Sequence, residues 1–123
     1  MAETTLRDCR VLLVEDEYML ADESELELGD AGAIVLGPIG TLEDALVLIR
    51  SEARIDGAVL DVNLGGEMAF PAADMLCERG VPFVFTTGYD DRMVPSRFSS
   101  IVRCEKPINI TRIPQAIGRV IQG

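Results

Sequence analysis

The chain has 123 residues, 48% of them hydrophobic and spread along its length, which suffices for one domain with a real core and leaves no room for a second. With 21 acidic against 11 basic side chains its formal charge is −10, so it would repel a nucleic-acid backbone rather than bind it. No apolar run approaches the ~20 residues of a membrane span, and the polar, acidic start has no signal-peptide pattern; a cytoplasmic protein without membrane or nucleic-acid partners is expected.

Short β-rich apolar runs at residues 11–14, 34–36, 58–60, 81–85 and 101–104 alternate with segments of helical period, the pattern of βαβ units around a parallel sheet. After the first run, a helix from residue 17 to about 28 has an acidic outer face and ends towards Gly29 and Gly32. Thr41, with Asp44 three residues on, caps a second helix in which Leu42, Ala45, Leu46 and Ile49 recur at i, i+3, i+4 and i+7. Residues 90–100 read poorly as a helix because Pro95 interrupts them, so a short or mobile helix is expected there. The last segment sets Ile110, Ile113, Ile117, Val120 and Ile121 on one stripe, with Pro114 in the first turn, where an amide has no intrahelical partner. Cys9, Cys77 and Cys104 are odd in number and far apart, which suits reduced thiols rather than a zinc site or a disulfide.

In a doubly wound parallel sheet, ligands bind outside the carboxyl ends of the strands, where strand order reverses. The first run leads into Glu15, Asp16 and Glu17, the third into Asp61, the fourth into Thr86 and Thr87, and the fifth into Glu105, Lys106 and Pro107. With strand order 2-1-3-4-5, Glu15, Asp16 and Asp61 share a cleft, and their repulsion calls for a counter-charge. Mg²⁺ is the expected cation, with Mn²⁺ as a substitute, because it takes hard oxygens from one or two carboxylates and accepts a phosphate oxygen. A lysine in the same cleft would neutralise a transferring phosphoryl group.

Val-Leu-Leu-Val-Glu-Asp-Glu at 11–17, Leu-Asp-Val-Asn-Leu at 60–64, Pro-Phe-Val-Phe-Thr-Thr-Gly-Tyr at 82–89 and Lys-Pro at 106–107 resemble the receiver domains of two-component response regulators, across essentially the whole chain. The resemblance implies a single receiver domain over residues 1–123, an α/β flavodoxin-like fold with a five-stranded sheet of order 2-1-3-4-5 and helices on both faces. It implies Asp61 as phosphoryl acceptor, Glu15, Asp16, Asp61 and the backbone carbonyl of Asn63 as metal ligands, Lys106 as the partner of the phosphate, and Thr87 as the switch hydroxyl. Gly88 then lies beside the site, and Tyr89 belongs to the part expected to move. Residues 82–89 also resemble the Pro-Phe-x-Phe-Ala-Thr-Gly-Tyr signature of one receiver subgroup, often small single-domain regulators, with Thr86 where Ala is usual.

Two departures stand out. Arg103 occupies the place, three before the lysine, where most receivers carry an aromatic switch residue, and the loop after Asp61 runs Asn63-Leu64-Gly65-Gly66 without the common proline. The expected protein accepts a phosphoryl group from a sensor histidine kinase or phosphotransfer protein and switches a surface for a downstream protein. It is expected to be a monomer or weak homodimer, and no enzyme beyond its own phosphorylation and slow dephosphorylation. The alternatives are a phosphorylation-independent adaptor and a small Mg²⁺-dependent aspartyl-phosphate phosphohydrolase. The latter normally has an aspartate two residues after its nucleophile, where this chain has Asn63, and a cap, for which there is no room.

Overall fold

The computed structural model describes residues 6–88 and 94–123. Among the described residues there are seven strands: β1 (Arg10–Val14), β2 (Ile34–Ile39), β3 (Gly57–Asp61), β4 (Asn63–Leu64), β5 (Glu67–Met68), β6 (Phe83–Thr87) and β7 (Arg103–Glu105). The α-helices of these residues are α1 (Tyr18–Asp30), α2 (Leu42–Ser51), α3 (Phe70–Glu78) and α4 (Ile113–Gln122). Five strands form one sheet in the order β2-β1-β3-β6-β7 with every neighbour parallel. Counting those five alone, this is the expected order 2-1-3-4-5 of the flavodoxin-like fold.

The central strands β3 and β6 are buried at every position, so hydrophobic side chains alternate between two cores. On one face, Leu12, Val14, Ala58, Leu60, Phe83 and Phe85 pack against α2 and α3 through Leu42, Ala45, Ile49, Ala72, Ala73 and Leu76. On the other, Val11, Leu13, Val59 and Val84 pack against Leu28 of α1 and Ile113 and Ile117 of α4. Helices therefore cover both faces, and every strand of the sheet delivers its last residue to the same edge. Among the described residues, no helix is long and apolar enough to cross a membrane.

The Thr41 cap forms as its sequence predicts, its hydroxyl accepting from the Asp44 amide at 3.1 Å. Pro114 lies in the first turn of α4. The first helix runs to Asp30, two residues further than expected, so Gly29 is helical. Gly32 takes the turn beyond the cap at φ +98°, where a Cβ would also come within 2.9 Å of the Arg7 Cα. The fourth and fifth strands of the sheet begin two residues later than the apolar runs suggest, because the backbone comes alongside its neighbouring strand only at Phe83 and Arg103. β2 continues to Ile39. In the 90–100 segment, the described part forms only a 3₁₀ turn, Ser96–Phe98. The cysteines are unpaired, as expected, with Cys77 exposed and Cys9 and Cys104 half-buried.

Ile117 has no exposed surface and sits in the α1/α4 core. Ile117→Ala should lower unfolding stability by about 2–5 kcal/mol, as burial loss and a residual cavity add. Val47→Ala, at a position 53% exposed, should change it by no more than about 0.5 kcal/mol. Urea midpoints at constant slope will read both.

Candidate functional site

Two parallel strands place two acids side by side. β1 and β3 pair Val14 with Leu60, so the next rung joins Glu15 and Asp61. Both are almost fully buried, at 5% and 2% exposure, while Asp16 faces solvent. Glu15 Oε2 accepts the Glu17 amide at 3.0 Å, and Asp61 Oδ1 accepts the Asn63 amide at 3.1 Å. One carboxylate oxygen from each of Glu15, Asp16 and Asp61 lies within 4.8 Å of the others. From beyond β7, Lys106 anchors its amide on the Thr87 carbonyl at 2.8 Å and sends Nζ to Asp61 Oδ2 at 3.0 Å, with Glu15 Oε2 at 3.6 Å.

Charge decides the state of this cluster. Burial first, then a hydrogen bond shared with Asp61 and the Asp61 charge, push the Glu15 carboxyl up to about 8, against the opposing pull of the Glu17 amide and Lys106. Burial works against the Lys106 charge, yet the hydrogen bond and charge of Asp61, with Glu15 behind it, outweigh burial and hold the ammonium above its ordinary value. One lysine among three acids leaves negative charge uncompensated in a desolvated cleft. The donor set is all hard carboxylate oxygen, and it fits a hard divalent cation such as Mg²⁺.

The expected loop without proline proves to be a small hairpin of β4 and β5, turned at Gly65 and Gly66 with φ of +63° and +96°. Two successive positive φ values make a tight turn that only glycine adopts without strain. A Cβ on Gly65 would touch Asp16 Oδ2 at 3.6 Å, so the hairpin tip stands against the acidic cluster. The Asn63 side-chain oxygen accepts the Gly66 amide at 2.7 Å and holds that turn, while its own amide holds Asp61.

Thr86 and Thr87 end β6, each 2% exposed and with a buried hydroxyl that has no hydrogen-bond partner among the described residues. The sequence singles out Thr87; it gives no sign that Thr86 is the register partner of Asp61. Gly88 is exposed just past the strand, and Tyr89 lies outside the described residues. Arg103 begins β7, half-buried, and lines a surface groove with Ile108, Arg112 and Arg119 on the α4 side of the sheet edge.

Comparison with known proteins adds the family. No protein-family model matches the sequence, and no curated protein sequence matches it. Among solved structures, SdrG from Sphingomonas melonis Fr1 is 35% identical, with 97% of this chain and 98% of that one covered at a TM-score of 0.79. The BeF3-activated conformation of SdrG from Pseudomonas melonis Fr1 is 37% identical, with 94% and 95% covered at 0.70. A response regulator receiver protein from Sinorhizobium medicae WSM419, 23% identical over 94% and 96% of the two chains, has the same fold at a TM-score of 0.81. With identity above one third across almost the full length of SdrG, and the fold shared with receiver proteins, the chain belongs to the response-regulator receiver domains of two-component signalling.

Proposed function

We propose that this receiver takes a phosphoryl group onto Asp61 from a phosphohistidine of a sensor kinase or phosphotransfer protein, with Mg²⁺, and thereby switches a surface that binds a downstream protein. The observation that carries this reading is the Lys106 ammonium 3.0 Å from Asp61 Oδ2, in a cleft where Glu15 and Asp16 offer oxygens to a cation. An Asp61 oxygen attacks phosphorus in line as the phosphorus–nitrogen bond breaks, and the donor ring, protonated on its other nitrogen, keeps the electron pair and leaves as a neutral imidazole. The chain has no histidine, so the donor is another protein or domain. Lys106 meets the charge on the transferring oxygens, and the buried strand ends exclude water. Glu15, Asp16, Asp61 and the Asn63 carbonyl would hold the cation, which supplies further neutralisation of that charge when bound. The 37% identity to a protein with a BeF3-activated conformation supports the reading, since beryllofluoride stands in for a phosphoryl group. The 82–89 signature supports placement in the Pro-Phe-x-Phe-Ala-Thr-Gly-Tyr subgroup.

Incubation with Mg²⁺ and acetyl phosphate should add one phosphoryl mass to the wild type and none to Asp61→Asn, read by intact mass; chelation of Mg²⁺ should abolish the adduct. No adduct in the wild type, together with no beryllofluoride binding, would favour the phosphorylation-independent adaptor.

Glu15 gives a second test. Its carboxyl titrates near 8 in the folded, metal-free chain against 4.5 for the free group, so between those values the folded state holds the extra proton. Stability contributed by this group is complete below about pH 4.5 and falls as pH rises to 8, by up to ~1.4 kcal/mol per pH unit. Urea unfolding from pH 5 to 8 without metal should show that fall, and Glu15→Gln should flatten it. Saturating Mg²⁺ should flatten it too, because a cation on Glu15 displaces the proton.

A further inference from the structure

The strand register puts a second hydroxyl on the acceptor's own face of the sheet. β3 and β6 pair Asp61 with Thr86, and β6 and β7 pair Thr86 with Cys104. Along β6, Val84 enters the α1/α4 core and Phe83 and Phe85 enter the α2/α3 core. Side chains alternate with period two, so Thr86 shares the face of Val84, and Thr87 that of Phe85. On β3, Val59 lies in the α1/α4 core and Leu60 in the other, so Asp61 also projects on the α1/α4 side. Thr86, rather than Thr87, is thus the transverse neighbour of Asp61. Lys106 reaches Asp61 from beyond β7, and β6 lies between those two strands, so the lysine side chain spans the strand end that carries Thr86.

The Thr86 hydroxyl is buried without a partner among the described residues. An unpaired buried hydroxyl is unfavourable, and a valine of the same shape would avoid that penalty. Neither oxygen of its register partner Asp61 accepts from Thr86: Oδ1 takes the Asn63 amide and Oδ2 takes Lys106. A phosphoryl group on Asp61 brings three further acceptor oxygens to the same rung.

Building on the proposed phosphoacceptor role of Asp61, we propose that Thr86 is a second phosphoryl-binding hydroxyl, one that finds its hydrogen-bond partner only when Asp61 carries a phosphoryl group. It approaches from the α1/α4 face, Thr87 from the α2/α3 face, and it stabilises the occupied state over the empty one. The related signature has alanine here, so the contact is a property of this chain rather than of the subgroup.

The test is beryllofluoride titration with saturating Mg²⁺ on wild type, Thr86→Val, Thr86→Ala and Thr86→Ser, with urea midpoints of the unliganded proteins. A hydrogen bond to a charged acceptor corresponds to a loss of about tenfold or more in beryllofluoride affinity for Thr86→Val and Thr86→Ala. Thr86→Ser should stay within about twofold of wild type, and unliganded Thr86→Val should be at least as stable as wild type. Equal affinity in wild type and Thr86→Val would overturn the inference, as would a serine variant as weak as valine. Failure of the wild type to bind beryllofluoride or to gain a phosphoryl mass would instead remove the phosphoacceptor reading beneath it.

Discussion

Two carboxyls on one rung at the ends of adjacent parallel strands, Glu15 and Asp61, are buried within reach of a single ammonium. Such a pair is unfavourable in isolation, since burial disfavours each charge and proximity disfavours having both. It is tolerated because Lys106 lies against both and because backbone amides of Glu17 and Asn63 each donate to one of them. Every part of that arrangement depends on topology. β1 and β3 must be neighbours to bring the acids together, and β7 must close the far edge so that a lysine can reach back across β6. The reversal of strand order is therefore an electrostatic requirement of the site as well as a feature of the fold. The surrounding chain adds to the same field: residues 15–30 carry eight acids and no basic side chain, whereas residues 106–123 carry three basic side chains and no acid.

The aromatic side chains lie behind the site rather than on its last strand. Phe85, two residues before Thr87 and on the same face, meets Phe98 edge to face at 5.6 Å, and Phe98 stacks on Phe70 at 5.8 Å. Phe98 belongs to the 3₁₀ turn that follows β6, and Arg97 beside it holds Asp74 of α3 through two hydrogen bonds while lying over the Phe98 ring. The exposed ion pair contributes little by itself because solvent screens it, but it orients the turn whose aromatic ring fills the core. In most receivers an aromatic residue stands where this chain has Arg103. Here a continuous apolar contact runs from the strand that ends on Thr87 to the turn beyond it, through Phe85 and Phe98. That path joins the site to the α3 side of the molecule without using β7.

Legibility in the sequence followed the strength of each local signal. The buried strands read clearly because a strand covered on both faces is a run of apolar residues, as at Val11–Val14 and 58–60, and α4 read clearly because its isoleucines keep a single stripe. The Glu15, Asp16, Asp61 and Lys106 cluster followed from strand order and strand ends, and the geometry brings those four together. The α1 boundary was displaced because Gly29 is helical and the turn is made at Gly32, and neither glycine differs from the other by composition. The β4–β5 hairpin escaped notice because two-residue strands have no period to detect; only the paired glycines marked it.

Thr86 shows where such reading stops. In the sequence, Thr86 and Thr87 are adjacent hydroxyls at the end of one strand, and nothing local says which of them shares a face with an acid 25 residues earlier. That depends on register, and a slip of one residue between β3 and β6 would exchange the two threonines. The register is held by the cores: Val59 and Val84 must both enter the α1/α4 side, and Leu60 and Phe85 must both enter the other. The apolar packing of the strand interiors therefore selects which hydroxyl stands beside the acceptor. The chemistry at the edge of the sheet is set by the side chains buried beneath it.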